Sequence, residues 1–289
     1  MTAQEAPART TAAQIRHLDK RLGGFALKDV TLTIPTGYIT GFVGPNGAGK
    51  TSTIKCLLGM LRPDAGDLTV LGRPAGTPSE EIGIVLDSPS LVGDWTARQV
   101  GRAVGGFYST WDASAYAAWC ERFAIPATTK VKQLSRGMGM KLQLAIALSH
   151  RARLLVMDEP TSGLDPLARD DLLGILQEYM LDERNAVLFS THITADLERV
   201  ADYVAIINDG RILHAEAKDD LLSRYALVRG GPGDLTEDAR RVLHGLRAFE
   251  TGYEALVALD DLGLLPAGVD ASTPSLDDLV IHLSRKVPR

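Results

Sequence analysis

The chain has little cysteine: two residues among 289, Cys56 and Cys120, each inside an apolar helical pattern. That excludes a disulfide framework. With no stretch resembling a secretory signal, both read as reduced core thiols in a cytosolic compartment. Long hydrophobic runs are also missing. The nearest candidate, residues 142–157, is broken by His150, Arg151 and Arg153, so it is too short and too charged to cross a bilayer. Any work at a membrane needs another chain to do the spanning. Positive charge is not in excess either: 31 Lys and Arg stand against 36 Asp and Glu, a formal net charge of −5. The basic footprint of a nucleic-acid-binding surface is therefore absent. Aromatic residues make up only 6%, and all three tryptophans (Trp95, Trp111, Trp119) fall in one stretch. Apolar residues, at 45%, suffice for one large domain plus a smaller one.

The organising stretch is GPNGAGKTS, comprising Gly44, Pro45, Asn46, Gly47, Ala48, Gly49, Lys50, Thr51 and Ser52. An apolar run at 38–43 precedes it and reads as a buried strand. Ile54, Leu57, Leu58 and Leu61 follow at helical spacing. Strand, glycine loop and helix together give G-x-x-x-x-G-K-[ST] the meaning of a phosphate site. The glycines let the backbone curl with its N–H groups inward, and the helix opening at Lys50 adds its positive end. Lys50 then reaches the β- and γ-phosphates, and Thr51 offers its hydroxyl to Mg²⁺. A plain glycine turn would not require Lys and Thr at the last two positions. The stretch implies a nucleoside triphosphate site.

Around this centre, residues 1–14 read as a mobile tail. Residues 15–43 alternate in short runs between turns, an antiparallel sheet leading into the loop. Residues 82–86 form a buried strand. From 96 to 123 the pattern is helical, an insertion with its own small core whose aromatics serve packing or a partner. A buried helix follows residues 134–138, and 154–157 is a continuous apolar strand. Asp165 before Pro166 caps another helix. Residues 186–189 are a further strand ending at His192, and Asn208-Asp209-Gly210 turns a hairpin. Gly230-Gly231-Pro232-Gly233 reads as a linker. Beyond it, Asp234 and Glu237 open a helix with Leu235, Ala239, Val242, Leu243 and Leu246 inward, and a last helix packs Leu276, Leu279, Val280 and Leu283.

The strand at 154–157 delivers Asp158 and Glu159 at its carboxyl end. Asp158 suits Mg²⁺, which takes few carboxylates and keeps several waters. Glu159, one residue on, points elsewhere and can activate the water that attacks the γ-phosphorus. Two acids at a strand end are commonplace alone; the phosphate loop upstream gives them this reading. His192 at another strand end can contact the γ-phosphate.

The order of these motifs resembles the ATP-binding subunit of an ABC transporter over roughly residues 15–225. The carriers are GYITGFVGPNGAGKTSTIK, LSRGM at 134–138, MDEPTSGLDP and FSTHI. The details look closest to small bacterial exporters whose permease is a separate chain. The resemblance implies an α/β fold: a P-loop NTPase core of ABC ATPase type with an antiparallel β subdomain, a helical subdomain about 87–137, and a small C-terminal α+β extension at 226–289. It implies an ATPase with ATP and Mg²⁺ as its ligands. Two such subunits, identical or not, sandwich two ATP molecules, so that Ser135 and Gly137 of one face the γ-phosphate held by the other's Lys50, with Asp165 nearby. It also implies a separately encoded transmembrane permease as partner, no nucleic acid, and a peripheral position on the inner face of the cell membrane.

Three departures from the family pattern stand out. The aromatic expected to stack on adenine is replaced by Leu22, with Phe25 nearby. The usual LSGGQ is LSRGM, so Arg136 and Met138 replace Gly and Gln. The Gln that normally links metal and permease-facing loop is Asp87, which either reaches the Mg²⁺ or anchors that loop. The competing reading is a soluble ABC ATPase acting on ribosomes or DNA. Such proteins usually carry two nucleotide domains or a long coiled-coil insertion, and this chain has neither. For residues 226–289, a regulatory or dimer-contact role competes with a simple packing extension.

Overall fold

The computed structural model describes residues 10–87 and 91–285. Strands β1 (Thr11–Leu22) and β2 (Phe25–Pro35) form a hairpin. β3 (Ile39–Val43) then feeds α1 (Lys50–Leu57), followed by β4 (Ala65–Val70) and β5 (Arg73–Pro74). The first sheet has the order β2-β1-β4-β5 and is antiparallel. Along β2, Leu27, Val30, Leu32 and Ile34 are all buried. Asp29, at φ 54, shifts the alternation by one residue so that Leu27 and Val30 both face inward.

The tail expected to reach residue 14 is shorter. Thr11 opens β1, Ala12 and Ala13 are buried, and Ala13 pairs with both Ile34 and Val70. Small and polar residues carry no apolar alternation, so the strand is set by its two neighbours. Residues 1–9 of that tail lie outside the described residues.

The chain continues through β6 (Ile82–Val85), α2 (Ala97–Gly105), α3 (Ala113–Arg122), α4 (Arg136–Ser149), β7 (Leu154–Asp158), α5 (Pro166–Tyr179), β8 (Ala186–Thr191), α6 (Thr194–Val200), β9 (Tyr203–Asn208) and β10 (Arg211–Ala217). The central sheet has the order β10-β9-β3-β8-β7-β6, parallel except for the β9–β10 hairpin. β3, β7 and β8 are buried along their whole length, as strands covered on both faces must be. Val43 pairs with Thr191, Asp158 with Ser190, and Val85 with Met157. The loops after β3, β6, β7 and β8 therefore open at one edge, where open α/β sheets place their ligands.

Within the helical subdomain, Thr96 and Gln99 form a capping box on α2, and Asp112 caps α3. The Tyr116 hydroxyl donates to the Ala97 carbonyl at 2.7 Å, joining the two helices. Trp111 packs against Tyr116 and Trp119 against Phe123, so these aromatics serve packing. Ser88 and Pro89, which follow Asp87, lie outside the described residues.

Past α7 (Lys218–Leu222) come β11 (Tyr225–Gly230), α8 (Glu237–Val242), β12 (Leu243–Phe249), β13 (Gly252–Ala258), β14 (Asp270–Ser272) and α9 (Leu276–Leu283). They build an antiparallel sheet in the order β12-β13-β11-β14. Two expectations change here. Gly230-Gly231-Pro232-Gly233 does not separate two bodies, because Gly230 is the last residue of β11 and pairs with Tyr253. The helix expected from Asp234 to Leu246 is capped by Thr236 and stops at Val242. Leu243 instead pairs with Val257 in β12. Apolar residues at 242, 243 and 246 fit either period, and pairing with β13 decides. The α9 expectation stands: Leu276 and Leu279 are fully buried.

Candidate functional site

The phosphate-loop backbone is dictated by two glycines. A Cβ on Gly44 would lie 2.1 Å from the Ile207 carbonyl oxygen, so only glycine lets the loop leave β3 beside β9. Gly49 caps α1 at φ 113, a left-handed conformation open to glycine. The loop is closed by Ala48 N–H donating to the Pro45 carbonyl at 3.1 Å. It is tied to the β9–β10 turn by Gly210 N–H donating to Ala48 at 3.0 Å.

Lys50 follows and is only 6% exposed. Its ammonium donates to the carbonyls of Gly44 (2.7 Å) and Pro45 (3.4 Å), and lies 3.3 Å from Glu159 Oε1. A buried cation needs such partners. The next residue, Thr51, donates its hydroxyl to Asp158 Oδ2 at 2.7 Å, and Ser190 donates to Oδ1 at 2.9 Å. Asp158 is thus gripped at both oxygens, one from α1 and one from β8. A hydroxyl and a carboxylate are hard oxygen donors, and this set fits Mg²⁺ shared with phosphate oxygens and water.

Glu159 stands at φ 52, a left-handed conformation uncommon for a non-glycine residue. Its backbone N–H donates to the Ser190 carbonyl at 2.9 Å. The turn sends its carboxylate away from Asp158 and between two partners: Lys50 on Oε1, and His192 Nδ1 at 2.7 Å from Oε2. Lys50 at the start of α1 and His192 just after β8 therefore meet around the carboxylate that follows β7.

These groups line a cleft of about 560 Å³ whose far wall carries Leu22 and Phe25. The two face each other across the β1–β2 turn, and the Phe25 ring lies against Gly49. Asp87 and Arg136 also line the cleft, and they are ion-paired to each other. Ser135 caps α4, its hydroxyl accepting from Met138 N–H at 3.2 Å. Gly137 packs on Leu164, and Asp165 caps α5 by accepting from Ala168 N–H at 2.9 Å. Neither Ser135, Gly137 nor Asp165 lines the cleft of its own chain.

Three side chains had no role in the sequence reading. Ser190 could be found only from the parallel register that sets it opposite Asp158. Gln143, buried on α4, accepts from Leu86 N–H (3.1 Å) and donates to the Leu86 carbonyl (2.9 Å). Ser162, after Glu159, accepts from the Arg136 guanidinium at 3.2 Å.

The chain is similar to several known proteins. The family model described as ABC transporter matches residues 27–162. The Nod factor export ATP-binding protein I of Burkholderia lata is 34% identical over 68% of this chain and 67% of that protein. The bacitracin transport ATP-binding protein BcrA of Bacillus licheniformis is 33% identical over 68% of this chain and 66% of its own length. Among solved structures, an ATP-binding subunit of an ABC transporter superposes with a TM-score of 0.67 at 27% identity, covering 73% of this chain and 92% of that one.

Proposed function

The chain belongs to the ATP-binding subunits of the ABC transporter family, which hydrolyse ATP and work with a membrane permease, and from that premise we propose how it acts. It energises export through a separately encoded permease, since a relative at 34% identity is named for the export of Nod factor. No helix among the described residues is long and apolar enough to cross a membrane. The chain sits peripherally on the inner face, as one of two nucleotide-binding subunits.

On ATP binding, Lys50 leaves the loop carbonyls for the β- and γ-phosphates, which are stronger charge-assisted partners. Thr51 and Asp158 are the residues that would hold Mg²⁺, which would offset the negative charge of the phosphates. Glu159 takes a proton from water as the water oxygen bonds to the γ-phosphorus and the bond to the bridging oxygen breaks, giving ADP and phosphate. His192 orients that carboxylate. Ser135 and Gly137 meet the γ-phosphate held by the partner subunit, with Asp165 beside the shared interface. The observation that supports this reading above the others is the Glu159 carboxylate, shared between Lys50 at 3.3 Å and His192 at 2.7 Å. Co-purification from membranes with a hydrophobic partner that stimulates phosphate release is the expected result. Co-sedimentation with ribosomes instead would overturn the export assignment.

Phe25 supplies the aromatic face for adenine that Leu22 cannot. Stacking adds about 0.5–1.5 kcal/mol, so Phe25→Ala is expected to weaken ATP binding about two- to tenfold and narrow the preference over GTP. Leu22→Tyr leaves both nearly unchanged. Equilibrium binding of the two nucleotides checks it. A tightening by Leu22→Tyr with no loss in Phe25→Ala would return the stacking position to residue 22.

A further inference from the structure

Helix α6 starts two residues after His192, and no side chain caps its first turn. Ile193 stands at the position before it, where Ser, Thr, Asp or Asn would accept a first-turn N–H. From the strand side, Thr191 Oγ1 accepts from Ile193 N–H at 3.0 Å. On the helix side, Thr194 is the first residue of α6 and is only 7% exposed. Its hydroxyl donates to Asp277 Oδ1 at 2.8 Å, 83 residues further along the chain.

This contact is half of a reciprocal pair. Asp277 is the second residue of α9, and Leu276, the first, donates its N–H to Glu198 Oε1 at 2.7 Å. Each helix thus supplies an acceptor to the start of the other. The Leu276 N–H is one that an isolated helix leaves without an intrahelical partner. Leu276 and Leu279 share a buried cluster with Leu197 and Val200, but apolar burial has no preferred direction. Hydrogen bonds do, and they tolerate only a few tenths of an ångström. The two polar contacts therefore fix how α6 is turned on its apolar base. The start of α6 leads straight back to His192, whose Nδ1 stands 2.7 Å from Glu159 Oε2.

We propose that Asp277 is a positioning residue for His192: through Thr194 it fixes the start of α6, and with it the reach of the imidazole to Glu159. The proposal rests on His192 orienting that carboxylate during hydrolysis. It gives the C-terminal extension a part in the catalytic geometry of its own chain. That part is separable from the burial of Leu276 and Leu279, because Asp277 lies on the exposed side of α9.

Steady-state phosphate release, equilibrium ATP binding and the Tm of the full chain test this. Asp277→Ala is expected to lower kcat about tenfold, part of the ~10²-fold that a 1 Å displacement costs. ATP affinity and Tm stay close to native. Asp277→Asn keeps an oxygen for the Thr194 hydroxyl and is expected to restore most of the rate. Thr194→Val removes that hydroxyl and is expected to match Asp277→Ala, and the double variant to be no slower than either. A native kcat in Asp277→Ala would overturn the proposal. So would a loss that Asp277→Asn shares in full, additive losses in the double variant, or a rate that falls only in step with Tm. Native turnover in His192→Ala would remove the role given to His192 itself. That result is distinct from a slow His192→Ala beside an unaffected Asp277→Ala, which removes the positioning alone.

Discussion

Glu159→Gln is expected to bind ATP at least as tightly as the native chain and to release phosphate about 10²- to 10⁴-fold more slowly. The amide keeps the shape of the carboxylate but cannot take a proton from water. Binding does not suffer, because the substitution removes the anion 3.3 Å from Lys50, and the ammonium then leaves its resting contacts more readily for phosphate. Residue 159 sits at φ 52, and Gln meets that backbone on the same terms as Glu, so the change tests chemistry and not strain. Steady-state phosphate release measures the loss. Gel filtration with ATP is expected to show a persistent two-subunit species. Turnover within tenfold of the native chain would remove Glu159 as the base.

A chain ending at Arg224 is expected to lose most of its folding stability. The C-terminal sheet and α9 are not an appendage with a core of their own alone. Leu227, Leu256, Leu276 and Leu279 belong to the same buried cluster as Leu197, Val200 and Leu221. α9 also docks on α6 through polar contacts: Thr194 Oγ1 donates to Asp277 at 2.8 Å, and Leu276 N–H donates to Glu198 at 2.7 Å. A buried leucine contributes ~1.5–3 kcal/mol. Losing all of them together costs on the order of 6–12 kcal/mol, comparable with the whole stability of a domain at ~5–15 kcal/mol. Aggregation or loss of a cooperative melt is the expected outcome. Leu276→Ala, which keeps the chain intact, is expected to cost ~2–5 kcal/mol and to lower Tm by about 5–15 °C. A truncated chain with the native Tm and full phosphate release would show that the extension covers nothing essential. Because α6 begins two residues after His192, a looser α6 is also expected to slow turnover before it unfolds the chain.

The phosphate loop was legible in sequence because its chemistry is local. A backbone that must curl needs Gly44, Gly47 and Gly49, and the ammonium and hydroxyl must follow at once. The same holds for Asp165 before Pro166, a cap satisfied within its own turn. The buried strands β3 and β7 announced themselves as uninterrupted apolar runs. Hence the fold class needed no coordinates, and the sequence alone put Asp158 and Glu159 at a strand end downstream of the glycine loop.

The remaining features join residues far apart in the chain. Thr11 to Gln14 offer no apolar alternation, and only β2 and β4 on either side make them a strand. Leu243 and Leu246 suit a helix or a strand equally, and β13 chose the strand. Ser190 reads as an ordinary strand residue until parallel register sets it against Asp158. Arg136 and Asp87 looked like two unrelated substitutions, and folding made them one ion pair. Sequence by itself determined what each short segment can do, because glycine conformations, caps and apolar runs are settled within a few residues. The tertiary structure decided which segments meet, because strand register, the docking of α9 on α6 and a guanidinium reaching across the cleft depend on the position of the whole sheet.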